Sequence, residues 1–408
     1  MSTAEATSVD GRRRLARRVQ LKDKHIITRM MDIAADLPDV IKLGRGDPDL
    51  DTPDHIVRAG QEALASGATH YTHPMGMLEL RQAIADDIAA HGGARYAPED
   101  IVVTPGGQQA MFIIALGLLD PGDELLIPCP GYNPYLQTAE LTEAKLVEIR
   151  TSIETNFTLT AEMVREHITA RSKVLVLINP GNPTGTVIPP DQVERICQVA
   201  REHDLIVVSD EIYARIVYDD NRAIPVAALP GMHERTITLS GVSKAYAMTG
   251  WRVGYFAGPP ELMPALAEIH HAFAISTSAV GQHGALAALT GPQECVEDIR
   301  RTFDERRRVL CDGLDELGIP YAKPQGAFYV YARVAETGVG ATEFCERLLA
   351  EGRVMIFPGR IYGDYTDDYA RMSLTQTIPR IEEALERMAG VVDAVRSEVP
   401  RPNPDPTL

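Results

Sequence analysis

A chain of 408 residues, 45% of them hydrophobic, is long enough to bury a large core and to divide into two or three domains. Its 40 basic residues stand against 57 acidic ones, a net charge of −17, which disfavours a nucleic-acid binder with its basic face. An anionic ligand would need local arginines rather than a global field.

Five scattered cysteines (Cys129, Cys197, Cys295, Cys311 and Cys345) lack C-x-x-C spacing. They read as reduced structural thiols of a cytoplasmic protein, with no metal site. The first twenty residues carry no apolar signal-peptide core, and Glu5 and Asp10 argue against a transit peptide despite Arg12–Arg14 and Arg17–Arg18. No apolar run reaches the ~18 residues of a membrane span.

In chain order, residues 1–10 carry no structural signal and 11–37 show helical periodicity through Leu15, Val19, Ile26, Met30 and Met31. Val40–Asp49 reads as a short strand broken by Gly44, Gly46 and Pro48, which serves either close backbone approach to a ligand or an ordinary turn. Helices are expected over 55–66 and 77–91, joined by a loop holding His70, Tyr71 and His73; both histidines read as polar loop residues. Strands are then expected at Ile101–Thr104, Glu124–Ile127, Lys145–Glu148, Val174–Ile178, Leu205–Ser209, Thr236–Leu239 and Val253–Ala257. Between them lie helical stretches such as Gln108–Leu119 and Asp191–Glu202. Such alternation means an α/β fold with a mostly parallel sheet covered on both faces, whose ligands bind where loops leave the carboxyl ends of strands.

A helix over Glu261–Leu289 leads to another at 294–316, with Asp304–Arg308 as its solvated face. Strand-like runs at Gly326–Tyr331, Val354–Phe357 and Arg371–Leu374, with helices near 341–351 and 379–396, predict a smaller α+β unit. The expected division is an N-terminal segment 1–48 joining the small domain, a large domain 49–292, a small domain 293–396 and a tail 397–408.

The chemistry-bearing stretch is Ser240–Gly254, SGVSKAYAMTGWRVG. Lys244 sits there among small residues and hydroxyls, with Arg252 eight positions on, a setting that suits an amine which must lose its proton and attack a carbonyl. A surface lysine at a helix start is the alternative. Pro105-Gly106-Gly107-Gln108 follows a strand and opens a helix, as phosphate cradles do, although it is no G-x-G-x-x-G fingerprint. Asp210 ends a very apolar strand and needs a partner, either a cationic ligand or the N-terminus of a following helix.

Gly241, Ser243, Lys244, Ala247, Met248, Gly250, Arg252, Val253 and Gly254 resemble the lysine signature of the class I pyridoxal-phosphate (PLP) aminotransferases. The entry loop around Gly46, the Gly-Gly turn, Tyr132, Asn179–Gly185 (NPGNPTG), Asp210–Tyr213 and Arg371 follow in that family's order. The resemblance implies PLP fold type I, with a mostly parallel seven-stranded sheet in the large domain and a small domain built from both chain ends. It implies Lys244 as the Schiff-base lysine and proton carrier, with Asp210 facing the pyridine nitrogen. Tyr213 and Asn182 would meet the phenolic oxygen, and Tyr132 would stack on the ring. Gly107, Gln108, Ser243 and Arg252 would hold the phosphate, joined by Tyr71 from the partner subunit of a homodimer with shared sites. Gly46, Asn182 and Arg371 would take the substrate carboxylate.

The chain departs from the pattern at Gln108, where some aspartate-type relatives carry lysine, and at Gly241, where a phosphate-binding serine often stands. Arg45 stands where many relatives carry a small residue and is either a solvent-facing arginine or a reader of a substrate's distal group. The implied activity is transfer of an amino group from an L-amino acid to a 2-oxo acid. Another PLP reaction on the same fold (elimination, replacement, carbon–carbon bond formation or oxidation) is the alternative, and a non-catalytic effector domain of a regulator is a third reading.

Overall fold

A computed structural model describes Ala16 and residues 26–398. The helical pattern expected before Ile26 and the end of the tail lie outside the described residues. Helix α1 (Ile26–Asp36) and the two-residue strand β1 (Ile41–Lys42) precede α2 (Asp54–Ala65) and α3 (Leu78–Ala90). Next come β2 (Ile101–Thr104), α4 (Gly107–Leu118), β3 (Glu124–Cys129), α5 (Asn133–Thr142), β4 (Lys145–Arg150) and α6 (Ala161–His167). They are followed by β5 (Ser172–Ile178), α7 (Pro190–Glu202), β6 (Ile206–Asp210), β7 (Thr236–Gly241) and β8 (Gly254–Ala257).

These seven strands form one sheet in the order β2-β8-β7-β6-β5-β3-β4. Neighbours from β7 through β4 run parallel, and β8 runs antiparallel to both β2 and β7. This is the mostly parallel α/β sheet that the alternation of elements predicts. Its strands read as continuous apolar runs because both faces are covered. Val174, Val176 and Ile178 of β5 enter a core with Ala110, Ile113 and Ile114 of α4, while Leu175 and Leu177 enter the opposite core with Val193, Ile196, Cys197 and Ala200 of α7. The spacing of the α7 residues places them on one helical face.

The expected helix over 261–289 is two helices, α8 (Met263–Ala274) and α9 (Ala279–Thr290). Apolar periodicity runs across the join and hides it. The break is made by hydroxyls: Ser278 accepts the Gly281 N–H at 3.2 Å as the α9 cap, and Thr277 donates to the Val103 carbonyl at 2.9 Å.

Helix α10 (Glu294–Glu316) leads to β9 (Tyr329–Ala332), α11 (Ala341–Ala350), β10 (Val354–Met355), β11 (Phe357–Pro358), β12 (Ala370–Ser373) and α12 (Ile378–Glu398). Strands β11, β12 and β9 form an antiparallel sheet, and β1 pairs in parallel with β10, so residues from near the start of the chain complete the second, smaller unit. The run Asp304–Arg308 is not simply a solvated face. Arg306 is buried and donates to both carboxylate oxygens of Asp49 (2.6 and 3.0 Å) and to the Leu374 carbonyl, while Arg307 holds Asp219 and Asp304. Arg306 therefore ties the entry loop after β1 to α10 and to the end of β12. Among the described residues no helix is long and apolar enough to cross a membrane.

Candidate active site

The parallel strands deliver their following loops to one edge of the sheet, and β8, running the other way, starts there. After β2, Gly106 adopts φ +82° and begins α4; a Cβ at this position would lie 2.4 Å from Arg252 Nη2, so the turn takes only glycine. The first-turn N–H groups of α4 have no intrahelical acceptors and carry the positive end of the helix dipole. Arg252, just before β8, donates to the Thr249 carbonyl at 2.9 Å and closes the other side of this cradle with Ser243.

Asp210 ends β6 and is 4% exposed. Its Oδ2 accepts the Tyr135 hydroxyl at 3.0 Å and its Oδ1 accepts the Ile212 N–H at 3.2 Å. Burial pushes its carboxyl up to about 6, against which these two hydrogen bonds act. Residues 212–215 form a turn, not the helix that would make Asp210 an N-cap, so Tyr213 reaches the site by a turn rather than by helical periodicity.

Asn182, in the loop after β5, donates from Nδ2 to the Tyr213 hydroxyl (3.4 Å) and accepts Arg371 Nη1 on Oδ1 (3.0 Å). Arg371 lies within β12 and is the one predicted site residue supplied by the smaller sheet. Its Nη2 donates to the Gly44 carbonyl at 2.7 Å, and its guanidinium sits 4.5 Å from the ring centre of Tyr329 and 5.0 Å from that of Tyr362. Among the described residues its buried Nε has no hydrogen-bond partner, which leaves that donor available to a carboxylate.

Lys244 follows β7, and its Nζ donates to the Gly46 carbonyl at 2.7 Å. Burial lowers the amine to about 8, with Asp47 opposing the shift and Arg371 and Arg252 adding to it. Asp47 is itself held by the Thr249 hydroxyl at 2.6 Å.

Gly46, Gly107, Gln108, Tyr132, Asn182, Asp210, Tyr213, Ser243, Lys244 and Arg252 line a single cavity of about 390 Å³. Arg371 stands one hydrogen bond away, behind Asn182. Tyr71 is 77% exposed and lies outside this cavity in its own chain. Arg45 is exposed and contributes its carbonyl to Thr375 (3.3 Å). The His73 ring accepts the Met75 N–H and its carbonyl accepts the Gly76 N–H, ordinary loop contacts.

Sequence reasoning missed Tyr135 and Tyr329. Tyr135 lies three residues after Tyr132 in the first turn of α5, a spacing that could have flagged it. Tyr329 depends on the pairing of β9 with β12, which no local signal reveals.

The donor set fits PLP: a glycine turn and an arginine for a phosphate, a buried carboxyl with no ion pair among the described residues, and an amine whose proton is loosened by burial. A family model described as aminotransferase class I and II matches residues 38–388. An aspartate aminotransferase of Pyrococcus abyssi is 38% identical over 92% of this chain and 97% of its own. An aromatic-amino-acid aminotransferase of Thermococcus litoralis is 36% identical over 93% and 98%. The solved structure of Thermus thermophilus aspartate aminotransferase with maleate superposes with a TM-score of 0.88 at 36% identity, covering 92% of this chain and 99% of that one. With the signature residues gathered in one cavity and the likeness running nearly end to end, the chain belongs to the class I and II aminotransferases and is a PLP-dependent enzyme of amino-group transfer.

Proposed function

We propose that Lys244 carries the cofactor and moves the proton in a two-step exchange between an L-amino acid and a 2-oxo acid. The observation that carries this reading is the lowered amine of Lys244 facing Asp210, Asn182, Tyr213 and Arg252 across one cavity. Bound there, PLP supplies an aldehyde for the amine and a ring that takes up the electron pair left on the substrate α-carbon. Lys244 Nζ, once free, would take the proton from the substrate α-carbon and carry it to the cofactor side of the substrate nitrogen. Asp210 would hold a negative charge for the ring nitrogen, and Tyr213 would donate to the phenolic oxygen. Tyr132 packs on the ring. The first turn of α4 (Gly107 and Gln108), Ser243 and Arg252 grip the phosphate. Arg371 and Asn182, with the backbone at Gly46, orient the substrate carboxylate, for which the free Nε of Arg371 is available.

Acidic and aromatic L-amino acids are the first donors to try, because the relatives above are named for aspartate and aromatic substrates. The test is the visible spectrum of the PLP-loaded protein with single amino acids and no oxo acid. Loss of the band with a donor, and its return on adding a 2-oxo acid, is the expected result and ranks the donors. A band that never responds to any amino acid would sink the reading.

The reading extends to a cytoplasmic homodimer divided into a large domain (49–292) and a small one (293–396). The exposed ring of Tyr71 supports the dimer, as it is free to reach a partner's cofactor phosphate. Two variants, Tyr71→Phe and Lys244→Ala, then complement each other. Mixed after dissociation and reassociation, they should recover up to about a quarter of wild-type activity through hybrid dimers with one intact site. No recovery despite proven subunit exchange would exclude the shared site.

A further inference from the structure

We propose that Tyr329 is a positioning residue: it donates its phenolic hydrogen to the Tyr213 oxygen and so leaves Tyr213's own hydrogen free for the cofactor. The two hydroxyl oxygens lie 2.9 Å apart, both buried. The direction of this bond follows from what surrounds it. Arg371 Nη1 can only donate, so the amide oxygen of Asn182 faces it and the Asn182 NH₂ faces Tyr213, occupying one of that oxygen's lone pairs. If Tyr213 donated to Tyr329, its single hydrogen would be spent within the pair. If Tyr329 donates, Tyr213 accepts two bonds and its hydrogen points elsewhere. Among the described residues the Tyr329 hydroxyl makes no other hydrogen bond, so its hydrogen has no competing acceptor.

Tyr329 also touches the other two parts of the site. Its ring lies under the Arg371 guanidinium at 4.5 Å, and a Cβ added to Gly46, whose carbonyl holds Lys244, would fall 2.6 Å from its hydroxyl. Burial keeps both phenols protonated, with Arg371, Asp47 and Tyr132 as the charged or titratable groups acting on the pair. The strand that bears Tyr329 pairs with the one bearing Arg371, whereas Tyr213, Asn182 and Lys244 follow strands of the large sheet. Tyr329 thus couples the carboxylate-binding strand pair to the group that meets the cofactor's phenolic oxygen.

The inference rests on Lys244 carrying PLP, and its test reads the pH midpoint of the visible absorption change of the loaded protein. Donation to the phenolic oxygen favours its negative form, which dominates after the neighbouring proton is lost. Weaker donation therefore holds that proton to higher pH. Tyr329→Phe should move the midpoint up by roughly half a pH unit. Tyr213→Phe should move it at least as far, and the double variant no further than Tyr213→Phe alone. Because Tyr329→Phe keeps the ring under Arg371, its KM for the best donor should stay within about twofold, whereas Tyr329→Leu should raise KM several-fold. A midpoint unmoved by Tyr329→Phe, or a double variant that shifts by the sum of the single shifts, overturns the relay. Persistence of the same pH-dependent band in Lys244→Ala would instead refute the cofactor-bearing role of Lys244.

Discussion

Replacing Lys244 with alanine should lower kcat/KM for amino-group transfer by at least about 10⁴-fold. Removing a positioned base alone costs about 10²–10⁴-fold, and loss of the covalent attachment adds to it. Phosphate binding should persist, because the substitution leaves the first turn of α4 and the Ser243 and Arg252 side chains in place. Equilibrium dialysis with PLP and steady-state kinetics on the same preparation separate the two effects. Lys244→Arg should be as inactive as the alanine variant, since a guanidinium stays charged and offers no free pair. In the proposed role the same amine should also set how fast the apoprotein takes up PLP. With the lysine at about 8, roughly one molecule in ten is neutral at pH 7, against about 0.03% for an ordinary lysine near 10.5. The uptake rate, followed by absorbance, should climb nearly tenfold per pH unit below about 8 and level off above it. A rate independent of pH between about 6 and 8 would mean that deprotonation of Lys244 is not what limits attachment.

Much of this site was legible because its residues are local to strong signals. Lys244, Asn182 and Gly107 each follow a β-branched run and lie in a glycine- or proline-bearing turn, and Asp210 ends such a run, so strand alternation alone carries them to one sheet edge. Arg252 was legible by spacing from Lys244, although the antiparallel direction of β8, which brings it to that edge, was not. Residues that act through tertiary register were hidden. Tyr329 and Arg371 meet only because β9 pairs with β12, and Tyr135 finds Asp210 across the helix–strand interface. The charged run of α10 misled for a related reason. Composition puts Arg306 and Arg307 in solvent, but the entry loop supplies Asp49 and the turn after Val217 supplies Asp219, and paired arginines can be buried. The two hydroxyls that split α8 from α9 acted through hydrogen bonds that hydrophobic periodicity does not register.

Substituting Asp210 with asparagine should stabilise the apoprotein and cripple the loaded enzyme, two effects of opposite sign from one buried charge. The carboxyl sits at about 6 in the fold against its ordinary 3.8. Below about pH 4 it is protonated in both states and costs nothing. As pH rises from about 4 to 6 the unfolded chain releases this proton while the fold retains it, so the residue's contribution to stability falls and stays low above 6. The full shift corresponds to on the order of 3 kcal/mol. Asparagine has no charge to bury, but one carbonyl oxygen must then serve both Tyr135 and the Ile212 N–H, which returns about 1 kcal/mol. The net expectation for the apoprotein at pH 8 is a gain of roughly 1–2 kcal/mol by urea unfolding, shrinking towards zero or reversing near pH 4. With PLP bound the balance inverts. In the proposed role the aspartate would face a cationic ring nitrogen that offsets its desolvation, and asparagine should lower amino-group transfer by roughly 10²–10³-fold, the range seen when a preorganised electrostatic partner is removed. An apoprotein destabilised at pH 8 by Asp210→Asn would show that Asp210 finds its counter-charge within the chain. A variant fully active with PLP would show that the ring nitrogen is held by something else. The two outcomes are linked through one charge: a carboxylate that is costly to bury in the apoprotein should gain most from a cationic ring nitrogen, which is the pattern expected of a residue kept for its ligand rather than for the fold.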